Sequence, residues 1–269
     1  GLDDVYVLPK MTQGRFELDA KVPLYRSLVA GSQAQAEATR RPLVKDLDLE
    51  SHTAIAAKTD VPYYTEVTDL TETRVLNVFQ QKQAGRTTAY LGEVNVSNHV
   101  VGFRRRAQYT DDVLGEEHVS LPPRSYDTIS LWFDVPGETL EFIKANELDL
   151  AGGLHAVEHA AIGLLPLFAL CDRNDIGGIS TPLHPDTGRP QVFIHDGYPG
   201  GVGIAEQGYE AIVELWKATL DVISQCPCES GCPGCIQSPK CGNNNHPLDK
   251  DLAVLILREI LAHPHPGDA

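Results

Sequence analysis

The chain has 269 residues, of which 42% are hydrophobic and 22% charged, and its formal net charge at pH 7 is −15. This size allows a large buried core, in one domain or in two packed lobes. The acidity argues against a protein that neutralises phosphates over its whole surface, because such proteins are usually basic. No run approaches the roughly 20 uninterrupted apolar residues of a membrane span, and the first residues lack a signal-peptide pattern. We therefore expect a cytoplasmic location and no membrane partner.

The first half of the chain is predicted to be rich in β-strands. Short runs that alternate apolar and polar residues are separated by turn-forming residues. These runs lie at residues 54–57, 74–79, 88–96, 100–103 and 128–133. Residues 1–42 are an unassigned N-terminal segment that includes a small, polar loop at 30–41, predicted to be flexible. Residues 43–136 are predicted to form a β-rich lobe.

The second half, residues 137–262, is predicted to be a helical lobe that contains a cysteine-rich run. Apolar periodicity and an Asp cap before the last helix indicate the helix positions. The expected helices lie at residues 138–146, 153–169, 205–224 and 252–261. Pro166 should bend or end the second of them, and a buried strand is expected at 191–195. Residues 263–269 are predicted to be a disordered tail, and the fold class is α+β, with the β-rich half packed on the helical half.

Five of the six cysteines lie within sixteen residues near the end of the chain. They are Cys226, Cys228, Cys232, Cys235 and Cys241. A disulfide framework usually spreads its bridges along the chain, whereas a metal site concentrates its ligands. We therefore predict a structural zinc site with four cysteine ligands, which leaves no open coordination position and supports folding. An iron–sulfur cluster, which also takes four thiolates, is the alternative.

Five cysteines compete for four positions around the ion. Cys232 and Cys235 are the best candidates, because a Cys-Pro-Gly-Cys turn presents two thiolates to one metal. Cys226 and Cys228 both reach the ion in one arrangement, since residues two apart in an extended segment face the same way. In the other arrangement Cys241 closes the site and Cys226 packs against the preceding helix. The sequence leaves both arrangements open.

The segment HAVEH, residues 155–159, fits the HxxEH pattern of inverted zinc proteases. In that interpretation His155 and His159 bind a catalytic zinc ion and Glu158 is the acid or base. The interpretation that we favour is a polar patch on a buried helix, satisfied by hydrogen bonds. The chain contains no GxxxxGK[ST] motif and no acidic helicase box, so we predict no catalytic residues and no ATP hydrolysis by this chain alone.

Arg104, Arg105 and Arg106 form the only arginine triplet. A local contact with nucleic-acid phosphates and a solvated strand end are about equally compatible with this pattern. If the triplet contacts DNA, its replacement by alanine should weaken DNA binding.

Several long segments resemble the C-terminal zinc-binding domain of superfamily-2 RecQ-like DNA helicases of the mitomycin-repair group. In the second half these are HAVEHAAIGLLPLFALCDRNDIGG, VFIHDGYPGGVGIAE and CPCESGCPGCIQSPKCGN. In the first half they are PLVKDLDLESHTAIAAKTDVPYYTEV and LPPRSYDTISLWFDVP. The resemblance covers approximately residues 43–261 and does not clearly include the N-terminal segment.

The resemblance implies a fragment of a longer, ATP-dependent 3′–5′ DNA helicase that acts in DNA repair. ATP and Mg²⁺ would bind to upstream RecA-like motor domains, which this chain lacks. The fragment would pack on the motor and help to engage or separate single-stranded or forked DNA, with Zn²⁺ held by cysteines of the run. The residues that match the family signature outside that run would organise the fold; they are His155, Glu158, His159, Asp175, Asp196 and the glycines of residues 196–203. A module that recruits repair partners is the alternative function.

Overall fold

The computed structural model of the chain describes residues 5–7, 42–48, 53–58, 61–119 and 121–262, and it describes side chains in the last two of these ranges. The predicted loop at 30–41 and the predicted tail at 263–269 lie outside the described residues. The chain forms two compact units. The first comprises Gly1–Leu70 and His99–Pro123, and the second comprises Thr71–Asn98 and Arg124–Ala269. The domain boundaries expected from the sequence stay predictions.

Strands dominate the described part of the chain up to residue 134, and helices dominate the part that follows. In chain order the strands are β1 (Val5–Val7), β2 (Pro42–Asp48), β3 (Thr53–Lys58), β4 (Tyr63–Ala84), β5 (Thr87–Ala107), β6 (Val113–His118), β7 (Arg124–Asp134), β8 (Ile176–Thr181) and β9 (Gln191–Asp196). The helices are α1 (Gly137–Ala145), α2 (Leu150–Leu164), α3 (Ile204–Glu210), α4 (Ile212–Gln225) and α5 (Lys250–Leu261). This order is that of an α+β fold, as predicted.

The strands in the described part of the chain form two sheets. A three-stranded antiparallel sheet in the first unit has the order β1-β3-β2. The larger sheet has the order β4-β5-β7-β9-β8, and β6 pairs with β5 in an antiparallel manner. The pairs β5–β7, β7–β9 and β8–β9 are all antiparallel. Every residue of β9 is buried, in agreement with the buried strand expected at 191–195.

The main core of the second unit contains one face of this sheet and the helices α2, α4 and α5. The ring of Phe133 on β7 meets that of Trp216 on α4 edge to face, with centroids 5.0 Å apart. On the other face of the sheet Trp132 stacks between Tyr90 and Phe193, at centroid distances of 5.5 and 5.4 Å. Tyr90 is partly buried, and the other four of these aromatic residues are buried. Buried aromatic residues supply much of the apolar area that stabilises a domain.

Helix α2 is the central helix of this core. The Asp149 side chain caps it by accepting a hydrogen bond from Gly152 N–H at 3.1 Å. The helix ends at Leu164 and a 3₁₀ turn that contains Pro166 follows, as the sequence predicted. The stretch Leu150–Leu167 is long and apolar enough to cross a membrane by length and composition alone, but half of it is buried inside the fold. A core helix passes the same test, so this stretch is weak evidence for a membrane span.

Two details of the second half differ from the sequence-based expectation. The single helix expected at 205–224 is divided into α3 and α4, and the chain breaks its helical geometry at Ala211. Strand β8, with the sequence IGGIST, was not predicted. Its two glycines weaken a strand signal, but Gly177 is needed because a Cβ there would lie 2.3 Å from the His195 ring on β9. This strand therefore forms because of its contact with β9, although its own sequence has a low propensity for strands.

Candidate metal centre

Four cysteines converge directly after α4. The Sγ atoms of Cys226 and Cys228, of Cys226 and Cys232, and of Cys228 and Cys235 are each 3.5 Å apart, and those of Cys232 and Cys235 are 3.7 Å apart. Four sulfurs bound to one zinc ion at about 2.3 Å lie about 3.8 Å from one another in a tetrahedron. A disulfide would need about 2.05 Å, and all these cysteines are free. The group therefore has the donor set and spacing of a closed tetrahedral metal site.

The turn between Cys232 and Cys235 has the hydrogen bonds expected of a metal-binding loop. The carbonyl of Cys232 accepts hydrogen bonds from the N–H groups of Cys235, Ile236 and Gln237, at 3.0, 3.2 and 3.1 Å. The Cys232 N–H donates to the Cys235 sulfur at 3.3 Å. Ile236 is fully buried and joins the turn to the main core.

Lys250 ties the other two cysteines to the start of α5. Its ammonium group donates to the carbonyls of Cys226 and Cys228, at 2.8 and 2.5 Å. The cluster therefore connects the end of α4, the turn at Cys232 and the beginning of α5. A metal ion there would fix residues 226–235 in place, and Lys250 connects this stretch to α5.

Two of the four thiols have shifted pKa values, in opposite directions. Burial raises the pKa of the Cys228 thiol, but hydrogen bonds from Cys226 and Cys235 outweigh it and lower this pKa to about 7. Burial, together with the shared hydrogen bonds, raises the pKa of Cys235 to about 12. The Cys228 sulfur thus forms a thiolate more readily than an ordinary thiol, whereas the Cys235 sulfur keeps its proton. A bound cation would replace the thiol protons, since only thiolates coordinate metal.

Cys241, the fifth candidate, lies outside this group. Its sulfur is 3.4 Å from Nε2 of His155, and the ligand atoms of Cys241, His155 and His159 all lie within 4.8 Å of one another. Sequence reasoning missed this second group because more than eighty residues separate the histidines from the cysteine. The only sequence signals were the spare cysteine and the one-turn spacing of the histidines.

The carboxylate of Glu158 is hydrogen-bonded to β8, and it also interacts electrostatically with His155 of the second group. The hydrogen-bond partner on β8 is Ser180, and burial raises the pKa of Glu158. A Cβ on Gly178, also on β8, would lie 3.1 Å from Glu158 Oε1. The inverted-protease interpretation needs this carboxylate beside a metal-bound water, and the contact with β8 gives it no support.

Asp196 organises the glycine-rich loop that precedes α3. Its carboxylate is fully buried and accepts hydrogen bonds from the backbone N–H groups of Val202, Gly203, Ile204 and Ala205, at 2.5, 3.0, 3.4 and 2.8 Å. A carboxylate at a helix N-terminus satisfies N–H groups that have no partner within the helix. Asp196 thus has a structural position in this loop.

Asp175 links the start of β8 to the same loop. Its carboxylate accepts hydrogen bonds from the Tyr198 hydroxyl and from the backbone N–H of Asp172. The backbone carbonyl of Asp175 accepts a further one from Gly197 N–H, at 2.7 Å. These contacts are also structural in character.

The arginine triplet lies on β5 in the first unit, and each of its guanidinium groups is in an ion pair. The pairs are Arg104–Glu116 at 2.7 Å, Arg105–Glu117 at 3.5 Å and Arg106–Glu66 at 2.5 Å. Arg104 and Arg105 point to opposite faces of the strand, as successive strand residues do, and the β5–β6 pairing shifts register between Arg105 and Arg106. The triplet is therefore not a continuous, unbalanced basic patch, and its contact with DNA stays a prediction.

The profile of one protein family, the MrfA Zn-binding domain, matches residues 157–236. This range includes all four clustered cysteines and the Asp196 loop. The chain belongs to this family. A protein of Methanocaldococcus jannaschii, MJ1572.1, is 40% identical over 114 residues, which are 40% of this chain and the whole of that protein.

Two further relatives of this zinc-binding family member are helicases. The ATP-dependent helicase YprA of Bacillus subtilis is 30% identical over 194 residues, which are 72% of this chain and 25% of YprA. The crystal structure of the DUF1998 helicase MrfA bound to DNA matches with a TM-score of 0.56 and 27% identity, over 81% of this chain and 28% of MrfA. The chain thus spans about a quarter of the length of the helicases that it matches.

Proposed function

We propose that this chain is a zinc-stabilised accessory domain of an ATP-dependent 3′–5′ DNA helicase that acts in DNA repair in the cytoplasm. ATP and Mg²⁺ would bind to RecA-like motor domains elsewhere in the longer protein, and this domain would assist the engagement or separation of DNA strands. The observation that carries the proposal is the group of four sulfurs at tetrahedral spacing, inside the region that matches a helicase zinc-binding family. The similarity to MrfA bound to DNA supports the DNA-related role.

In this proposal Cys226, Cys228, Cys232 and Cys235 are the zinc ligands. Zinc with four thiolates has no free position for substrate, so its contribution is to the stability of the fold. The residues around it would hold the thiolates in place, through the carbonyl of Cys232 and through Lys250. The result is a fixed end for α4 and a fixed start for α5.

The metal assignment is tested by elemental analysis of the purified chain and two variants. We expect Cys232→Ser to lose one zinc ion per chain and to unfold at a lower temperature, because three thiolates hold the ion less tightly. Cys171→Ser is the matched control, since Cys171 is free, partly buried and outside both metal-ligating groups. Unchanged zinc content in Cys232→Ser, or wild-type chain that is metal-free and fully folded, would contradict the assignment.

The accessory role is tested in the full-length gene product. Deletion of residues 43–262 should reduce DNA unwinding much more than DNA-stimulated ATP hydrolysis, because the motor would remain while strand separation loses a component. A strand-displacement assay beside an ATPase assay measures both. Normal unwinding after the deletion, together with lost binding of repair proteins, would instead favour a recruitment module.

A further inference from the structure

The second ligand group joins two histidines of α2 to Cys241, which follows the four-cysteine site and Ile236 in the chain. His155 and His159 are one turn apart on α2, and their ring centroids are 4.2 Å apart. Cys241 approaches them from the segment that leads to α5. Residues at i and i+4 share one helix face, so both rings are presented to the same point.

The two imidazoles are oriented in the same way. Nδ1 of His155 is 2.8 Å from the carbonyl oxygen of Pro247, and Nδ1 of His159 is 2.9 Å from that of Ile236. A carbonyl only accepts hydrogen bonds, so each Nδ1 carries a proton, and the neutral tautomer with this arrangement has its lone pair on Nε2. Histidines that bind metal characteristically donate their other N–H to a carbonyl or carboxylate, which fixes the tautomer and the ring direction.

The position of Cys241 completes the donor set. Its sulfur lies 3.4 Å from His155 Nε2, whereas a tetrahedral zinc ion with one nitrogen and one sulfur ligand holds them about 3.5 Å apart. The Asn245 N–H donates to the same sulfur at 3.2 Å. Asn245 also exchanges two hydrogen bonds with the Ser238 backbone, at 2.7 and 3.1 Å, and so fixes the loop around the sulfur.

The chief alternative is a thiol that is hydrogen-bonded to imidazole, with no metal. A neutral thiol has one hydrogen to donate, but two imidazole lone pairs and one sulfur converge here. His159 is only 9% exposed, so water has limited access to whichever nitrogen receives no proton. A cation satisfies all three donor atoms at once, and a thiol proton satisfies one.

We propose that His155, His159 and Cys241 bind a second divalent transition-metal ion, with zinc as the preferred metal and a water molecule in the fourth position. Imidazole nitrogen and thiolate sulfur together favour zinc among the common divalent ions. The site is distinct from the four-cysteine site, and it does not rest on the helicase assignment. Its role is structural: it fastens residues 236–247 to α2.

The experiment counts metal ions in the full chain after incubation with zinc chloride and desalting. Wild type should hold two zinc ions per chain, Cys241→Ser one, and Cys171→Ser two. Cys241→His should keep two, because it replaces one ligand by another. Cys232→Ser should also hold one zinc ion, because it disrupts only the four-cysteine site. The same measurement therefore tests the two sites separately.

A second measurement keeps the proposal testable if a variant does not fold. Anomalous diffraction from wild-type crystals at the zinc edge should show a peak between Nε2 of His155, Nε2 of His159 and Sγ of Cys241, separate from the peak among the other four sulfurs. One zinc ion per wild-type chain, a single anomalous peak, or two zinc ions retained by Cys241→Ser would each overturn the proposal.

Discussion

At the scale of single residues, Asp196 illustrates how much one buried carboxylate can organise. It accepts hydrogen bonds from four consecutive backbone N–H groups and is fully buried. Asp249 caps α5 by accepting one such bond, from Leu252 N–H at 2.9 Å. Removal of a buried acceptor lowers the free energy of unfolding by more than the net contribution of its hydrogen bonds. The reason is that the donors are left buried with no partner and no access to water.

We expect Asp196→Ala to lower the free energy of unfolding by about 3 kcal/mol or more, and Asp249→Ala by about 1 kcal/mol. Urea unfolding with excess zinc in all samples measures the difference and removes metal loss as a cause. Equal costs for the two variants would show that the contacts of Asp196 beyond a single cap contribute little.

The candidate site was predictable only in part at this scale. The density of cysteines and the Cys-Pro-Gly-Cys turn indicated the metal chemistry, because local spacing decides whether two thiolates can reach one ion. Whether Cys241 or Cys226 completes the set depends on the contact between α2 and the segment after Ile236. Such a long-range contact leaves no trace in local spacing, so the sequence kept both arrangements open.

At the scale of elements, the turn between β4 and β5 is fitted closely to the end of α5. Gly85 has a φ of +57°, and a Cβ there would lie 1.9 Å from the carbonyl oxygen of Ile260. The same carbonyl accepts a hydrogen bond from Arg86 N–H at 2.8 Å. The Arg86 guanidinium forms ion pairs with Glu138 on α1 and Glu259 on α5. One glycine thus permits contacts among four elements.

Gly85→Ala should therefore lower the stability of the chain by more than the cost of placing alanine in a left-handed backbone conformation. Gly188→Ala is the matched control, because Gly188 has a φ of +66° and nothing within 4 Å of its added Cβ. We expect a loss of about 1 kcal/mol for Gly188→Ala from the left-handed conformation, and at least twice that for Gly85→Ala. Thermal unfolding of the two variants beside wild type measures it, and equal shifts would contradict the close-contact argument.

Elements were predicted best where their periodicity is clean. Helix α5 was expected at 252–261 with a cap at Asp249, and the structure has Lys250–Leu261 with that cap. Strand β4 was recognised only at 74–79, although it runs over 22 residues, because much of its surface is polar and partly exposed. Pairing with β5 extends such a strand well beyond the run that its own sequence specifies.

At the scale of the whole molecule, the net charge of −15 limits how the chain can take part in DNA binding. Each arginine of the triplet at 104–106 is already paired with a glutamate, so these cations do not form an excess that would displace counterions from DNA. Three phosphate contacts would change the slope of log K against log salt by about 2, at about 0.7 for each contact with a single strand. The ion pairs argue for a smaller effect.

We therefore expect only a small change in the slope of log K against log salt when all three arginines are changed to alanine in the full-length protein. The change should be smaller than about 0.7, which is the contribution of one phosphate contact with a single strand. A matched variant would also change the three glutamate partners to glutamine, which restores the net charge without restoring any guanidinium. If the arginines only form ion pairs with the glutamates and do not contact DNA, the matched variant should bind single-stranded DNA as wild type does. A slope reduced by about 2 in both variants would instead show direct phosphate contacts, and would place DNA against this part of β5 despite the acidity of the chain. Fluorescence anisotropy over a range of salt concentrations distinguishes the two outcomes. In the triple alanine variant the unpaired glutamates repel DNA, and this repulsion is absent from the matched variant. The loss of direct arginine–phosphate contacts would persist in both variants.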